Sequence, residues 1–313
     1  MIQKNLPLCC PCEEKADLTK ISNGFLCTNE SCDHSKPQHS FKQINGIPIL
    51  ISEIKTDTVC SIDAEETYIN RPFSSFEITK KLLIGESIVT KRNCKKFIEQ
   101  VRSSPKKVKI LVIGGGEKGS GTSELWKSKN IDIVSFDIYA TNSTDVVCDA
   151  HYIPFKENSF DGVWIQAVLE HVIEPSKVVS EIYRVLKKNG IVYAETPFMQ
   201  QVHEGAYDFT RFTVLGHRYL FKDFEMIEIG GNKGPEFVLA WAVRYFFWAL
   251  TRNKLLARII GIGFGILMRP FALLMSKKSM FDASSGVFFL GRKVEGINAI
   301  SHKDLIRLYK GQF

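Results

Sequence analysis

The chain has 313 residues with ordinary hydrophobic (44%) and charged (24%) fractions. This composition excludes a disordered chain and predicts a globular protein of roughly two domains. The net charge of +7 is concentrated, because the stretch 237–281 contains seven basic residues and no acidic one. The opening residues contain no apolar run of the kind found in signal peptides. Eight cysteines in a protein expected in the cytoplasm predict metal binding rather than disulfides.

Residues 1–55 are predicted to form a small cysteine-rich module. It contains two pairs of cysteines, one pair separated by two residues and the other by four. Two such pairs can supply the four ligands of a tetrahedral Zn²⁺ site, and so short a unit would depend on the metal for stability. The prediction is a structural zinc ribbon with the ligands Cys9, Cys12, Cys27 and Cys32. The substitute ligands are Cys10, His34 and His39. Unrelated buried thiols are the alternative.

Residues 56–105 are predicted to be a polar helical linker. Apolar residues occur at helical spacings between 76 and 101, and the sequence Ser103-Ser104-Pro105 ends the segment. Two roles fit this pattern: a lid over a cofactor cleft, and a helix that only packs on a sheet.

Between residues 106 and 295, strand and helix patterns alternate. The predicted strands are 108–113, 131–136, 161–166, 190–195, 224–230 and 286–293, and the predicted helices are 121–129 and 175–188. Such alternation indicates an α/β fold with a mostly parallel sheet covered by helices. Residues 296–313 are predicted to form a C-terminal tail.

A glycine-rich turn joins the first two predicted strands. Gly114, Gly115 and Gly116 allow a tight turn and the close approach of a cofactor to the backbone. Asp137 follows about 20 residues later, where an acid can accept both hydroxyls of a ribose. The turn therefore predicts a cofactor that contains adenosine. The spacing Gly114-x-Gly116-x-x-Gly119 also satisfies the dinucleotide pattern, so these residues alone leave the cofactor open.

The residues after Asp137 resemble the class I S-adenosylmethionine-dependent methyltransferases, in the large family with a small-molecule-type core. The matching motifs are Asp149-Ala150, Ile153-Pro154-Phe155, Ser159-Phe160-Asp161, Leu169-Glu170-His171 and Arg184-Val185-Leu186-Lys187. The resemblance covers residues 108–230. It implies a doubly wound, Rossmann-like sheet of seven strands whose last strand is antiparallel.

This resemblance implies S-adenosyl-L-methionine as the cofactor and assigns roles by position. The turn Gly114–Gly116 would line the methionine and ribose, and Asp137 would bind the ribose hydroxyls. Asp149 and Ala150 would face the adenine edge. Gln166, after the fourth strand, would lie where substrate and methionine meet. The family usually has an acid two residues before the first glycine, and this chain has Val112 there.

A second resemblance concerns Pro197–Thr213, which is similar to the substrate loop of methyltransferases encoded with bacterial surface-polysaccharide genes. His203 and Asp208 in this loop are candidate catalytic residues, because a base assists transfer to a hydroxyl or phenol. Arg211 is a candidate clamp for a phosphate or carboxylate of the substrate. His171, at the same sheet edge, is a further catalytic candidate. A local network that stiffens the loop, and a packing role for His171, are the alternatives.

The stretch 235–281 is predicted to be an apolar helical insertion between the last two strands. Its basic residues and aromatic side chains, with the first apolar run too short for a span, favour a helix in a membrane interface. Gly261, Gly263, Gly265 and Pro270 are predicted to break or bend any long helix there. The alternative is an ordinary buried insertion.

Three functions follow from these patterns. The first is a methyltransferase acting on a glycan or lipid-linked intermediate, in the cytoplasm and peripheral on the inner membrane face. The second is a ribosomal RNA methyltransferase, because the N-terminal unit resembles zinc-ribbon modules that accompany such enzymes. Nucleic acid is disfavoured because the basic excess lies within an apolar segment. The third, motivated by Val112, is a non-catalytic scaffold. The sequence identifies neither the acceptor atom nor the oligomeric state.

Overall fold

The computed structural model describes residues 6–52, 54, 58, 60, 87–102 and 107–312. Its strands are β1 (Leu18–Ile21), β2 (Gly24–Cys27), β3 (Phe41–Ile44), β4 (Ile47–Pro48), β5 (Val108–Ile113), β6 (Ile131–Asp137), β7 (Val146–Val147), β8 (Phe160–Gln166), β9 (Leu186–Pro197), β10 (Glu225–Asn232) and β11 (Gly286–Arg292). Its α-helices are α1 (Ile88–Val101), α2 (Ser123–Lys127), α3 (Pro175–Val185), α4 (Val214–Leu220), α5 (Pro235–Thr251), α6 (Lys254–Met268), α7 (Lys277–Ala283) and α8 (His302–Arg307).

The central sheet has seven strands in the order β10-β11-β9-β8-β5-β6-β7. The strands from β9 to β7 are parallel to one another, whereas β11 is antiparallel to both of its neighbours. The predicted seven-stranded fold is therefore confirmed. Strand β5 lies between β6 and β8. The chain passes from β5 to β6 and β7 on one side and then returns to β8 on the other side, so the strand order reverses at β5. Ligands of such sheets bind in the crevice at that point.

Two details of the predicted elements are corrected. Strand β7 was not among the predicted strands, because its two residues are too few to show a hydrophobic period. The predicted helix 175–188 ends at Val185, and Leu186 already pairs with Phe160 in the sheet. Leu186 is fully buried, and Asn189, within β9, takes a left-handed conformation (φ 61°). Burial at the start of β9 therefore overrides the helical pattern.

Helix α1 is the described part of the predicted linker, and residues 61–86 lie outside the described residues. The helix packs on the sheet through Phe97 and Val101, in a core cluster that also contains Trp164. Gly162 makes this approach possible, because a Cβ there would lie 2.8 Å from the ring of Phe97. The described helix thus acts as part of the core.

The N-terminal unit is a four-stranded sheet, β1-β2-β3-β4, docked on the main domain. The backbone N–H of Cys9 donates to the carbonyl of Pro154 (3.0 Å), and that of Leu50 donates to Val147 (2.8 Å). Ile49 forms a bridge with Val147, which extends the edge of the central sheet. The unit and the main domain therefore share one core.

Helices α5 and α6 form a hairpin in the predicted insertion, joined by Arg252 and Asn253. The side chain of Asn253 caps α6 by accepting from the N–H groups of Leu255 and Leu256. Helix α6 runs through all three of its glycines and ends at Met268, two residues before Pro270, so the helix is interrupted at the proline and not at the glycines. A Cβ on Gly261 would lie 2.6 Å from the Cβ of Arg244, which shows that this glycine permits close packing of the two helices.

Candidate active site

The glycine turn after β5 is fixed to the end of β6. The N–H of Gly116 donates to Oδ2 of Asp137 (2.8 Å), and the N–H of Gly115 donates to the carbonyl of Phe136 (2.9 Å). Gly114 has a φ of 73°, and a Cβ there would lie 2.3 Å from Val168 on the neighbouring loop. The turn therefore requires glycine for its conformation and for its close packing.

Asp137 and Asp149 follow two neighbouring strands at the same edge of the sheet. Asp149 is buried and accepts hydrogen bonds from the Nδ1 (2.6 Å) and backbone N–H (2.8 Å) of His151. Burial alone would raise the pKa of Asp149, but the bonds from His151 outweigh burial and lower it. Thr58 donates to its other oxygen (2.8 Å). Both aspartates are thus fixed carboxylates, and a carboxylate at the end of β6 suits a ribose diol.

Val112, at the position where the family resemblance predicts an acid, lies in the core. Its side chain is buried in the cluster that contains Phe97 and Leu125. No carboxylate replaces it within β5, whose residues are Val108–Ile113. The residue two positions before Gly114 is therefore an apolar core residue.

Gln166 ends β8, between the loop after β5 and strand β9. Its Nε2 donates to the carbonyl of Ser120 and to Oε1 of Glu195, both at 3.3 Å. Glu195 also accepts from the hydroxyls of Thr90 (2.9 Å) and Tyr193 (2.6 Å). Glu195 was not among the predicted site residues, although an acid near the carboxyl end of an apolar strand can indicate a binding site.

The loop after β9 contains an ion pair that holds it in shape. Arg211 Nη2 lies 2.7 Å from Oδ2 of Asp208, and Arg211 Nε donates to the carbonyl of Gln200 (3.0 Å). The bond from Arg211 lowers the pKa of Asp208 to about 2, although burial opposes it. The side chain of Arg211 is thus bonded to residues of the loop that carries it, which agrees with a network that stiffens this loop.

His171 and His203 come together from two different loops, with ring centroids 5.0 Å apart. His203 Nδ1 lies 3.3 Å from Oδ2 of Asp208, and His171 Nδ1 lies 2.6 Å from the carbonyl of Tyr207. Burial lowers the pKa of His203, although Asp208 acts in the opposite direction. Oε1 of Glu170, a side chain that is 0% exposed, lies 3.6 Å from Nε2 of His171 and 3.9 Å from Nε2 of His203. Burial raises the pKa of Glu170 to about 8. Its motif was noted in the sequence, but no role was assigned to this carboxyl.

The part of the chain that forms this edge of the sheet is similar to known proteins. Residues 111–194 match the family model described as a methyltransferase domain. This match covers 84 of the 313 residues of the chain. The ubiquinone/menaquinone biosynthesis C-methyltransferase UbiE of Desulfotalea psychrophila is 46% identical over 44 residues, which are 14% of this chain and 18% of that protein. UbiE of Brucella canis is 34% identical over 93 residues, which are 30% of this chain and 31% of that protein.

The chain thus spans less than a third of the length of these two curated relatives. Among solved structures, an S-adenosylmethionine-dependent methyltransferase from Archaeoglobus fulgidus is similar with a TM-score of 0.44 at 15% identity. That similarity covers 70% of this chain and 100% of that chain.

A cysteine cluster lies in the N-terminal unit, which is docked on the main domain. The sulfur atoms that lie within 4.8 Å of one another belong to Cys10, Cys12, Cys27 and Cys32. Four converging thiols suit a closed tetrahedral Zn²⁺ site. Burial raises the pKa of Cys27 to about 11, so a bound cation would have to displace thiol protons.

The predicted ligand set is corrected at one position, because Cys10 occupies the place expected for Cys9. Successive side chains of an extended segment point in opposite directions. The backbone N–H of Cys9 donates to the carbonyl of Pro154 in the main domain. Cys10 therefore faces the cluster. Neither proposed substitute histidine joins it: His34 has Nδ1 on the carbonyl of His39 (2.7 Å) and Nε2 on Ser52 (2.7 Å), and His39 is exposed.

Proposed function

We propose that the protein is an S-adenosyl-L-methionine-dependent methyltransferase that acts on a glycan or lipid-linked acceptor at the cytoplasmic face of a membrane. The observation that carries the reaction is the Gly114–Gly116 turn bonded to Asp137 within the matched domain. Asp137 would hold the ribose and Asp149 the adenine edge. The bound cofactor supplies an electrophilic methyl group, and the residues around Gln166 would hold the acceptor in line with it.

The membrane part of the proposal rests on the hairpin of α5 and α6 and the turn that follows. Among the described residues, the stretch Lys254–Ala272 is long and apolar enough to cross a membrane, with a mean hydropathy of 1.6 and only 11% of it buried. Large apolar side chains exposed on this hairpin and turn are Leu239, Phe246, Trp248, Leu250, Leu255, Leu256, Ile259, Ile266, Leu267, Phe271 and Leu274. So large an apolar surface on a water-soluble fold typically marks an interaction site.

The charged side chains of the hairpin suit an interface between lipid and water. Arg244 lies over the ring of Trp241 (5.2 Å), and Lys254 lies over the ring of Trp248 (5.4 Å). Basic residues beside aromatic rings are typical of helices in the headgroup region. This arrangement supports an anionic lipid surface over RNA, which is bound by basic patches on polar faces.

The hairpin is also connected to the loop that carries the candidate substrate residues. The hydroxyl of Tyr245 on α5 donates to the carbonyl of Val202, the residue before His203 (2.7 Å). An acceptor anchored in the membrane would therefore reach the cleft beside the hairpin. This contact is the reason to favour an acceptor with a lipid anchor.

Transfer of a labelled methyl group from S-adenosyl-L-methionine tests the proposal. The full chain is added to a cell extract, and label is measured separately in glycolipid, quinone and RNA fractions. We expect label in the glycolipid fraction, and none with the Asp137→Ala variant. Label in the quinone fraction would instead support an acceptor like that named for the UbiE relatives, and label in RNA would support the ribosomal alternative.

Vesicle binding should depend on the exposed face of α6. Leu255 and Ile259 lie one turn apart on that helix and are 64% and 57% exposed. Full burial of such a side chain contributes about 1.5–3 kcal/mol. The double variant Leu255→Asp/Ile259→Asp should therefore bind anionic phosphatidylglycerol vesicles at least roughly 100-fold more weakly in a flotation assay.

The matched control for this assay is Ile88→Asp/Ile306→Asp, which places two aspartates at positions that are 80% and 68% exposed outside the hairpin. It should float with the vesicles as the unchanged protein does. Equal binding by the hairpin variant, or no binding by the unchanged protein, would contradict a membrane role for this surface.

A further inference from the structure

Three potential metal ligands converge at the carboxyl edge of the sheet, outside the predicted cofactor residues. Glu170 and His171 lie on the turn after β8, and His203 lies on the loop after β9. The Nε2 atoms of His171 and His203 lie 3.6 Å and 3.9 Å from Oε1 of Glu170. Two ligands that each lie 2.0–2.2 Å from a tetrahedral ion would be about 3.4 Å apart. The observed spacing is close to that of a metal site.

Glu170 is the second observation that points to a ligand. Its side chain is 0% exposed, and neither carboxylate oxygen has a hydrogen-bond partner within the part of the chain that the structure describes. A buried carboxylate without partners is costly, and such groups in native proteins usually have a bound ion or another specific reason.

The hydrogen bonds of the two imidazoles show what faces this carboxylate. His171 Nδ1 lies 2.6 Å from the carbonyl of Tyr207, which can only accept, so Nδ1 carries the proton. His203 Nδ1 lies 3.3 Å from the carboxylate of Asp208, which favours the same tautomer. In each ring Nε2 is the nitrogen that faces Glu170. The two ring nitrogens and Oε1 of Glu170 therefore converge on one point, and nitrogen and oxygen atoms of these side chains are the donor types of a Zn²⁺ site.

We propose that Glu170, His171 and His203 bind a divalent transition-metal ion of the Zn²⁺ or Mn²⁺ class. The outward bonds to Tyr207 and Asp208 are the second-shell contacts that orient metal-bound histidines. Three protein ligands leave a coordination position open, as in catalytic sites. The turn adjoins the cofactor cleft, because Val168, two residues before Glu170, packs on Gly114.

The proposed role of the ion rests on the proposed methyltransferase function. The open position would take a hydroxyl oxygen of the acceptor, and the ion would lower the pKa of that hydroxyl. The hydroxyl proton passes to water, and the oxygen forms a bond to the methyl carbon. The carbon–sulfur bond breaks with its electron pair left on sulfur, which yields a methyl ether and S-adenosylhomocysteine. The acceptor class is therefore a hydroxyl-bearing compound, with methylation at oxygen.

Mn²⁺ binding, followed by electron paramagnetic resonance of the free ion, tests the site. The full chain first receives one equivalent of Zn²⁺, which the four thiols of the cysteine cluster bind, and Mn²⁺ is then added because it prefers nitrogen and oxygen ligands over thiolates. We expect one Mn²⁺ per chain, displaced by Zn²⁺, and an affinity at least tenfold lower in Glu170→Gln and in His203→Ala. The matched controls Glu174→Gln and His302→Ala should bind as the unchanged protein does.

Two outcomes would overturn the site: no Mn²⁺ bound at millimolar concentration, or equal binding by Glu170→Gln, whose isosteric amide should preserve the fold. Thermal unfolding and calorimetry with S-adenosylhomocysteine check that both variants are folded. Mn²⁺ binding without any methyl transfer would reject the proposed function and leave the metal site standing. Methyl transfer that is unchanged in Glu170→Gln would reject the role of the ion in activating the acceptor.

Discussion

Replacement of Asp137 by alanine should weaken S-adenosylhomocysteine binding by roughly 100-fold or more. The carboxylate is expected to accept two ribose hydroxyls, and hydrogen bonds to a charged group contribute about 1.5–3 kcal/mol each. A loss of about 3 kcal/mol corresponds to that factor. The substitution also removes the acceptor for the N–H of Gly116, which loosens the turn itself. Isothermal titration calorimetry with the full chain measures the change.

Asp132→Ala is the matched control, because Asp132 lies on the same strand, β6, but near its amino end. It should bind the ligand with unchanged affinity. An Asp137→Ala variant that binds within a few-fold of the unchanged protein would contradict the assigned cleft. Absence of binding by the unchanged protein would favour the scaffold hypothesis, for which Val112 in the core is the motivating feature.

The strands and the cleft could be predicted because buried parallel strands are continuous apolar runs with polar residues where they end. Strand β5 was predicted with both of its boundaries, and Asp137 and Gln166 occupy the expected strand ends. Parallel strands bring these ends to one edge, so distant residues could be grouped without knowledge of any contact. Strand β7 escaped prediction because two residues have no period.

Residues whose role depends on packing between elements could not be predicted. Glu170 is an acid next to a histidine in a turn, a pattern that usually indicates a solvent-exposed residue. It is buried because the loop after β9 covers it, with the N–H of Phe209 donating to its carbonyl (2.8 Å). The bond between Tyr245 and Val202 joins residues 43 positions apart, and no local pattern predicts it.

Cys9 and Cys10 show a limit of motif spacing. Either residue can be combined with Cys12 into a short knuckle, and the two-residue spacing favoured Cys9. The choice depends on which side of the extended segment faces the other cysteines. That direction is set by the backbone bonds of Cys9 to Pro154 and of Cys10 to Ala16 (2.8 Å).

Cys10→Ser should remove Zn²⁺ from the protein, whereas Cys9→Ser should retain it. Both side chains are 0% exposed, so the two variants make equivalent changes in the core, and only Cys10 belongs to the cluster of four thiols. Structural zinc contributes about 10–16 kcal/mol of apparent binding free energy in small modules. Its loss should therefore unfold the N-terminal unit and lower the stability of the domain that shares its core.

Metal content per chain and thermal unfolding measure both effects. The unchanged protein and Cys9→Ser should hold one Zn²⁺ each in the ribbon and unfold at similar temperatures, while Cys10→Ser unfolds at least about 5 °C lower. The reverse pattern would support Cys9 as the ligand, and an unchanged protein that binds no zinc would leave the cluster as buried thiols. Leu50 of the N-terminal unit and Phe155 of the main domain lie in the same core cluster. Loss of the metal should therefore also loosen the packing beside the cofactor cleft. Weaker S-adenosylhomocysteine binding by Cys10→Ser would demonstrate that coupling.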